Sequence, residues 1–200
     1  MTLTIYHAKF ARSVRLIWAC EEMDVPYTIE TVELRGDKKI SPDVHPLQKV
    51  PAMIDGDVHM FESLAILDYI LARYNDALRP KPDHPDYPAY LQWYHFGEST
   101  LAFPIMFAMA HRVLLPERAR DEKLALWAQG EAEKAFEAMA APLEKNEYLL
   151  PSGFSAADIS CAYMLLLSKF SRIMGNAPEA VKAYFARIAE RPAWKTATAA

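Results

Sequence analysis

The amino-acid sequence predicts an α/β domain followed by an all-helical domain. Short strand-like and helix-like patterns alternate over residues 1–76, whereas residues 87–200 carry helical patterns alone. Between these regions, residues 77–86 hold three prolines among charged side chains, a composition that suits neither a helix nor a central strand. We therefore expect a sheet domain over residues 1–76, a linker over 77–86 and a helical bundle over 87–200.

The first domain is predicted to contain β-α-β, then a hairpin and a helix. Residues 3–6 form a β-branched and aromatic run, and the apolar residues of 14–23 fall on one helical face. Residues 27–32 alternate with period two, which predicts a second strand. Two further short runs flank the turn at 55–57, and the apolar residues of 66–74 recur at helical spacing. This order implies a small four-stranded mixed sheet.

The second domain is predicted to be a bundle of helices. Residues 87–112 read as one long helix rich in aromatic residues and methionine, and a second long helix over 116–141 opens on a proline. Ser155 and Asp158 have the spacing of a capping box at the start of a further helix. The run over 159–170 is apolar nearly all round, so we expect that helix to lie in the centre of the bundle.

The composition excludes several classes of protein. With 200 residues, 52% of them hydrophobic and 24% charged, the chain can bury a sizeable core and is not intrinsically disordered. Its formal net charge of -4 provides no broad positive field for nucleic acid or anionic lipid. Cys20 and Cys161 cannot form a disulfide framework, the first residues show no secretory signal, and the histidines lack metal-site spacing. We expect a cytoplasmic protein with no metal and with neither nucleic acid nor a membrane as partner.

Two segments of the sheet domain combine features of a ligand site. Pro51 follows Lys49 and Val50 at the start of a strand, and a cis bond there would turn the Val50 main chain outward to pair with an extended peptide. Ser63 lies at a helix N-terminus after Glu62, where main-chain N–H groups and a hydroxyl bind a carboxylate and the acidic side chain holds an ammonium. Together these groups would recognise the zwitterionic end of an amino acid. The alternative is that Ser63 is only an N-cap and Glu62 a surface charge.

A third segment is the turn over residues 8–13, where the dipole of the first helix could stabilise an anion. In this order, the three segments resemble the glutathione transferase superfamily, in particular its bacterial, theta-like cytosolic members. The likeness covers nearly the whole chain, from a thioredoxin-like first half to the all-helical half with its capping box. HPLQKVPAM at residues 45–53 and FESLAILDYI at residues 61–70 look like the glutathione site of that family.

The resemblance implies a role for each matching residue. Pro51 would be cis, and the Val50 main chain would pair with the cysteinyl part of glutathione. Glu62 and Ser63 would hold the γ-glutamyl end. Lys49, with Lys38 or Lys39 on the preceding loop, would face the glycyl carboxylate.

The reaction of this family requires glutathione as a thiolate, because the thiolate is the nucleophile. Lowering a thiol pKa by about two units requires about 2.7 kcal/mol, and a helix N-terminus supplies only about 0.3–1 kcal/mol, so a further donor is needed. Ala11 occupies a position where similar bacterial sequences carry serine. The nearest candidates are the hydroxyl of Ser13, the charge of Arg12 and the hydroxyl of Tyr6, besides the main-chain N–H groups of Ala11 and Arg12. Since the turn lacks cysteine, thioredoxin, glutaredoxin and beta-class chemistry are disfavoured.

The expected electrophile site is built from aromatic and thioether side chains. Three of its members are four residues apart on one helix face, and the full set is Phe10, Tyr94, Phe103, Met106, Phe107 and His111. The resemblance implies a homodimeric detoxification enzyme that conjugates glutathione, its co-substrate, to small hydrophobic electrophiles. The alternatives are a glutathione-dependent peroxidase, isomerase or dehalogenase on the same fold, and a non-catalytic member that binds glutathione or another ligand.

Overall fold

The computed structural model describes residues 3–33, 36 and 39–200. Contacts divide the chain into a sheet unit, Met1–Arg79 with Glu190–Ala200, and a helical unit, Pro80–Ala189. The division after Arg79 falls within the stretch that we predicted as a linker. The last residues of the chain belong to the sheet unit, which differs from the predicted assignment of everything after residue 86 to the helical bundle.

The sheet unit contains the predicted four-stranded mixed sheet. Its elements are β1 Leu3–His7, α1 Val14–Glu22, β2 Tyr27–Thr31, β3 Ala52–Asp55, β4 Val58–Phe61, α2 Ser63–Arg73 and α8 Pro192–Ala199. The strand order is β2-β1-β3-β4, with β1 parallel to β2 and antiparallel to β3. Asp55 pairs with Val58 across the β3–β4 hairpin, and Gly56 supplies the positive φ of +61° that the tight turn requires.

The C-terminal helix α8 returns to the sheet unit because its side chains have partners on α1. The ring of Trp194 packs edge-on against that of Trp18, with 4.7 Å between ring centroids. The guanidinium of Arg191 makes a bidentate contact with Glu22, at 2.6 and 2.7 Å, and the Trp18 indole N–H donates to the same carboxylate. The contacts of Trp194 and Arg191 join residues far apart in the chain, so the helical periodicity of the C-terminal segment did not predict them.

The helical unit is all-α, as predicted. Its helices are α3 Tyr87–Phe96, α4 Ala102–Met109, α5 Glu122–Leu143, α6 Ala156–Phe170 and α7 Glu179–Glu190. The predicted long first helix is divided by a π-helical turn at Gly97–Leu101, and a second π-helical turn follows at Ala110–Leu114. Pro104 has no N–H to donate to the carbonyl of Thr100, which removes a hydrogen bond beside the first of these turns. A Cβ on Gly97 would lie 2.3–2.7 Å from atoms of Ser160, so only glycine permits this approach to α6.

The predicted start of the second long helix was wrong. After Pro116 comes only a short 3-10 turn, Glu117–Ala119, and α5 begins at Glu122. Asp121 caps it, because its carboxylate accepts hydrogen bonds from the N–H groups of Lys123 and Leu124, at 2.8 and 3.3 Å. The cap, rather than the proline, determines where the helix begins.

The predicted capping box is confirmed. The Ser155 side chain accepts from the N–H of Ala157 at 3.3 Å, and the Asp158 carboxylate accepts from the N–H of Ser155 at 2.8 Å. The helix that follows, α6, has 12 of its 15 residues buried, in agreement with a central place in the bundle. None of the helices in the described ranges is both long and apolar enough to cross a membrane.

Candidate functional site

The start of α2 joins two of the predicted site residues. Glu62 is exposed, and its backbone has φ +74° and ψ 111°, a combination that side chains other than glycine rarely adopt. Ser63, the first residue of the helix, is 4% exposed. The first N–H groups of any helix lack acceptors within it, so they favour an anion. This helix start therefore places a carboxylate, a hydroxyl and main-chain donors together.

The loop before β3 carries the second part of the predicted site. The Val50–Pro51 peptide bond is cis, which confirms the prediction from the resemblance. The Val50 side chain packs against the buried cluster of Val32, Ile40 and Ala52. Its main-chain N–H and C=O make no hydrogen bond to any residue that the structure describes. Val50 is therefore anchored through its side chain while its peptide groups are available to a ligand.

The lysines expected near this loop are placed on the surface. Lys49 and Lys39 are both exposed. Lys38, the other member of the predicted pair, lies outside the described residues. Because both of these side chains lie on the surface, their ammonium groups are accessible to an anion from solvent.

Ser13 does not have the accessibility that a thiol-activating hydroxyl requires. Its side chain is fully buried, and its Oγ forms a 2.9 Å hydrogen bond with Nδ1 of His7, which is 2% exposed. Burial lowers the pKa of His7, and the nearby main chain of Ala200 partly opposes this effect. At neutral pH the pair is therefore an uncharged buried hydrogen bond, and we correct the expectation that Ser13 serves the thiol.

The other groups near the turn differ in accessibility. The N–H of Ala11 donates to the carbonyl of Ala8 at 3.0 Å, so the turn itself uses this donor. The Tyr6 side chain packs against the Val32, Ile40 and Ala52 cluster. Arg12 is half-buried and carries a permanent positive charge. Of the predicted activating side chains, Arg12 is the one that is neither fully buried nor packed in that cluster.

We expect Ser13→Ala to reduce stability and to leave thiol chemistry unchanged. The substitution removes the partner of a buried ring nitrogen, which costs about 1–3 kcal/mol. Thermal or urea unfolding would measure this loss, and a pH profile of turnover would report the thiol. A raised thiol pKa in a variant of normal stability would contradict the structural role assigned to Ser13. Ser168→Ala is a matched control, because its hydroxyl donates only to a carbonyl within its own helix, that of Leu165.

A buried arginine that the sequence analysis missed contacts the start of α2. Arg15 on α1 is 0% exposed, and its Nη1 donates to Oγ of Ser63 at 3.1 Å. Its sequence signal is a charged residue inside the apolar run from Val14 to Cys20, all of which is buried. A fully buried arginine is rare unless its guanidinium has partners. A charged residue within an apolar helical run therefore indicates a buried polar contact at this position.

The residues predicted to surround an electrophile fall in both units. In the sheet unit, Phe10 is 39% exposed and has φ +60° in the turn before α1. In the helical unit, the Phe103 and Phe107 rings are stacked at 5.5 Å and Phe107 lies 4.8 Å from the His111 ring. Trp127 of α5, which was not predicted, contacts both phenylalanine rings edge-on. Three of the four rings thus form a ladder on one helix face, as their spacing predicted.

The members of that set differ in accessibility, and one of them is buried. Tyr94 is 1% exposed and stacks on Tyr90 at 5.4 Å between ring centroids, inside the helical unit. Its predicted place in a ligand pocket is therefore corrected to a place in the core. Met106 is half-buried, whereas Phe103 is 58% exposed.

Comparison with known proteins connects both units to one family. Residues 1–72 match the family model for the glutathione S-transferase N-terminal domain, and residues 99–192 match that for the C-terminal domain. Glutathione S-transferase 3 of Zea mays is 30% identical, over 94% of this chain and 88% of the relative. Glutathione S-transferase theta-1 of Bos taurus is 31% identical, over 80% of this chain and 70% of the relative.

Solved structures extend the likeness to the fold. A theta class glutathione S-transferase from Xanthomonas axonopodis pv. citri, solved with glutathione bound, superposes with a TM-score of 0.83 at 25% identity, over 100% of this chain and 98% of that one. A glutathione transferase from Pseudomonas putida, solved with glutathione disulfide bound, gives a TM-score of 0.87 at 20% identity, over 98% and 90%. In both cases the similarity covers the sheet and the helices.

Proposed function

The chain belongs to the glutathione S-transferase family, and from this membership we propose that it conjugates the thiolate of glutathione to small hydrophobic electrophiles. The observation that carries the proposal is the start of α2, where the Glu62 carboxylate and the Ser63 hydroxyl lie beside the first N–H groups of the helix. A γ-glutamyl group ends in an ammonium and a carboxylate, and these two charges require opposite partners at one place.

We assign the remainder of the tripeptide to the loop before β3. The main-chain groups of Val50, which have no hydrogen-bond partner in the described part of the chain, would pair with the cysteinyl residue in the manner of an added strand. Lys49 and Lys39 would attract the glycyl carboxylate, to which exposed lysines contribute long-range charge more than fixed geometry. The cysteinyl sulfur would then lie toward the turn before α1.

We propose that Arg12 is the main activator of the thiol. A positive charge within about 4–6 Å of an acidic group lowers its pKa by about 1–3 units, more than a helix N-terminus provides. In the reaction the S–H bond is broken and its proton passes to solvent. The thiolate then forms a C–S bond with the electrophile, and a leaving group departs with the bonding electrons. Phe10, exposed in the same turn, supports an apolar electrophile.

A direct test measures retention of the protein on immobilised glutathione and then conjugation of chlorodinitrobenzene. We expect both binding and turnover. Absence of binding would reject the proposal. From family membership we also propose a cytoplasmic homodimer with a role in detoxification. Analytical sedimentation measures the number of subunits.

A second candidate is a glutathione-binding protein without turnover. It is favoured by the turn before α1, where Ala11 has no hydroxyl and the Ser13 hydroxyl is bound to His7. Retention on immobilised glutathione with no conjugation of several electrophiles would select this candidate.

We expect Arg12→Met to raise the pKa of the bound glutathione thiol by about one unit. Below that pKa, kcat/KM should fall about tenfold, since the thiolate fraction falls by that factor. The ultraviolet absorbance of the thiolate, followed against pH, measures the shift without turnover. Arg12→Lys, which keeps the charge, should retain most of the effect, and a pKa unchanged in Arg12→Met would remove Arg12 from the mechanism.

A further inference from the structure

We propose that Arg15 is a positioning residue for glutathione, which orients the Ser63 hydroxyl so that its proton is donated to the γ-glutamyl carboxylate. The inference rests on the proposed function and assigns a role to a residue that does not itself touch the ligand. It is independent of how the thiol is activated.

The first step is the hydrogen-bonding capacity of the two groups. A guanidinium has donors only, so in the 3.1 Å contact between Nη1 of Arg15 and Oγ of Ser63 the hydroxyl must accept. The hydroxyl has one proton of its own. Over residues 3–33, 36 and 39–200 the Ser63 hydroxyl has no acceptor for that proton. A donor that is 4% exposed and lacks an acceptor is costly unless a ligand supplies one.

The second step is charge. Arg15 is 0% exposed, so its positive charge is screened by little water. A carboxylate that accepts from the Ser63 hydroxyl would lie within about 6 Å of the Arg15 guanidinium, given one hydrogen bond of about 3 Å on each side of Oγ. The charge acts on the ligand through the hydroxyl: a hydroxyl that accepts from a charged donor is polarised, and the hydrogen bond that it donates to the ligand carboxylate is strengthened. A lysine at position 15 would supply the positive charge but not the planar set of donors.

The third step is location. Arg15 lies on α1 and Ser63 on α2, 48 residues later, so their bond fixes the start of α2 relative to α1 within the sheet unit. Any looseness at this contact would displace the hydroxyl from the main-chain donors of the same helix start. We therefore expect the contribution of Arg15 to appear in glutathione affinity rather than in turnover.

The test compares glutathione with an analogue whose γ-glutamyl residue is replaced by 4-aminobutanoyl, which lacks only the α-carboxylate. By calorimetry we expect Arg15→Met to bind glutathione 10- to 50-fold more weakly than the wild type and to bind the analogue with nearly unchanged affinity. KM for glutathione should rise accordingly, with kcat at saturation altered less than twofold. Arg15→Lys should lose three- to fivefold in glutathione affinity.

A double-mutant cycle separates positioning from general damage. In a Ser63→Ala background, Arg15→Met should weaken glutathione binding less than threefold, because the hydroxyl through which it acts is gone. Arg112→Met is the matched control, since Arg112 is largely buried in the helical unit and bonded to Ser171 and Gln129. It should reduce stability and leave glutathione affinity unchanged. If Arg15→Met does not fold, the cycle is measured with Arg15→Lys.

The binding measurements distinguish failure of the positioning role from failure of the proposed function. Normal glutathione affinity in Arg15→Met, or an equal loss for glutathione and the analogue, overturns the positioning role and leaves the proposed function intact. Failure of the wild type to bind glutathione overturns both.

Discussion

Asp158→Ala is expected to lower the free energy of unfolding by about 3–5 kcal/mol. The carboxylate is fully buried and accepts four hydrogen bonds, from the N–H groups of Leu149 and Ser155 and from the hydroxyls of Ser155 and Tyr184. Loss of the carboxylate removes the cap of α6 and leaves these donors without an acceptor. Two of the four donors lie outside the capping box, which is why the effect exceeds that of an ordinary cap. Urea unfolding measures it.

Asp121→Ala is the matched control, because Asp121 is also an aspartate cap but is exposed. It should cost about 1 kcal/mol. Equal losses in the two variants would show that burial and the additional donors contribute nothing. Glutathione affinity should be unchanged in both variants wherever they are folded.

The pH dependence of stability offers a second check on Asp158. Burial raises its pKa to about 6, against the opposing hydrogen bonds from Leu149, Ser155 and Tyr184. The folded state thus holds the proton more tightly than the unfolded chain, so this stabilisation is present below about pH 4 and is lost as the pH rises through about 6. From about pH 5 to about pH 7 this group should remove roughly 1 kcal/mol of stability. Asp158→Asn should lack that slope.

Glu62→Gln is expected to weaken glutathione binding by about 10- to 100-fold, equivalent to about 1.4–2.7 kcal/mol. The amide keeps the shape of the side chain but loses the negative charge that would hold the γ-glutamyl ammonium. Calorimetry with glutathione measures the loss. Stability should change little, since Glu62 is exposed. Glu30→Gln, on the exposed part of β2, is the control and should bind normally.

A second substitution at this position separates conformation from charge. The backbone of Glu62, at φ +74° and ψ 111°, is strained for any residue with a Cβ. Glu62→Gly should therefore raise the free energy of unfolding by about 0.5–1 kcal/mol while it weakens glutathione binding as much as Glu62→Gln. A glycine variant that is no more stable would argue against stored strain, and normal affinity in the glutamine variant would remove Glu62 from the site.

Local patterns predicted most of the fold. Period-two and helical spacing located the strands and helices of the sheet unit, and Ser155 with Asp158 located the start of α6, because each of these signals lies within a few residues of its effect. The start of α5 was misplaced since a proline was weighted above the capping aspartate at Asp121. The π-helical turn at Gly97–Leu101 was not predicted, and neither was the close approach of Gly97 to Ser160, because the two residues are far apart in the sequence.

The candidate site was predictable where its residues are close together in the sequence. Glu62 and Ser63 are adjacent, and the loop through Val50 is continuous. The contacts that change the interpretation join distant residues: Ser13 is bonded to a histidine on β1, and Arg15 to a serine on α2. A hydroxyl in a helical first turn looks the same in sequence whether it faces a ligand or a buried imidazole.

The attachment of α8 to α1 has a consequence for synthesis. A nascent polypeptide that has released residues 1–79 from the ribosome still lacks Trp194, whose ring covers Trp18 in the finished protein. The first unit to be translated is thus the last that can complete its core, and the helical unit has emerged in full before this closure.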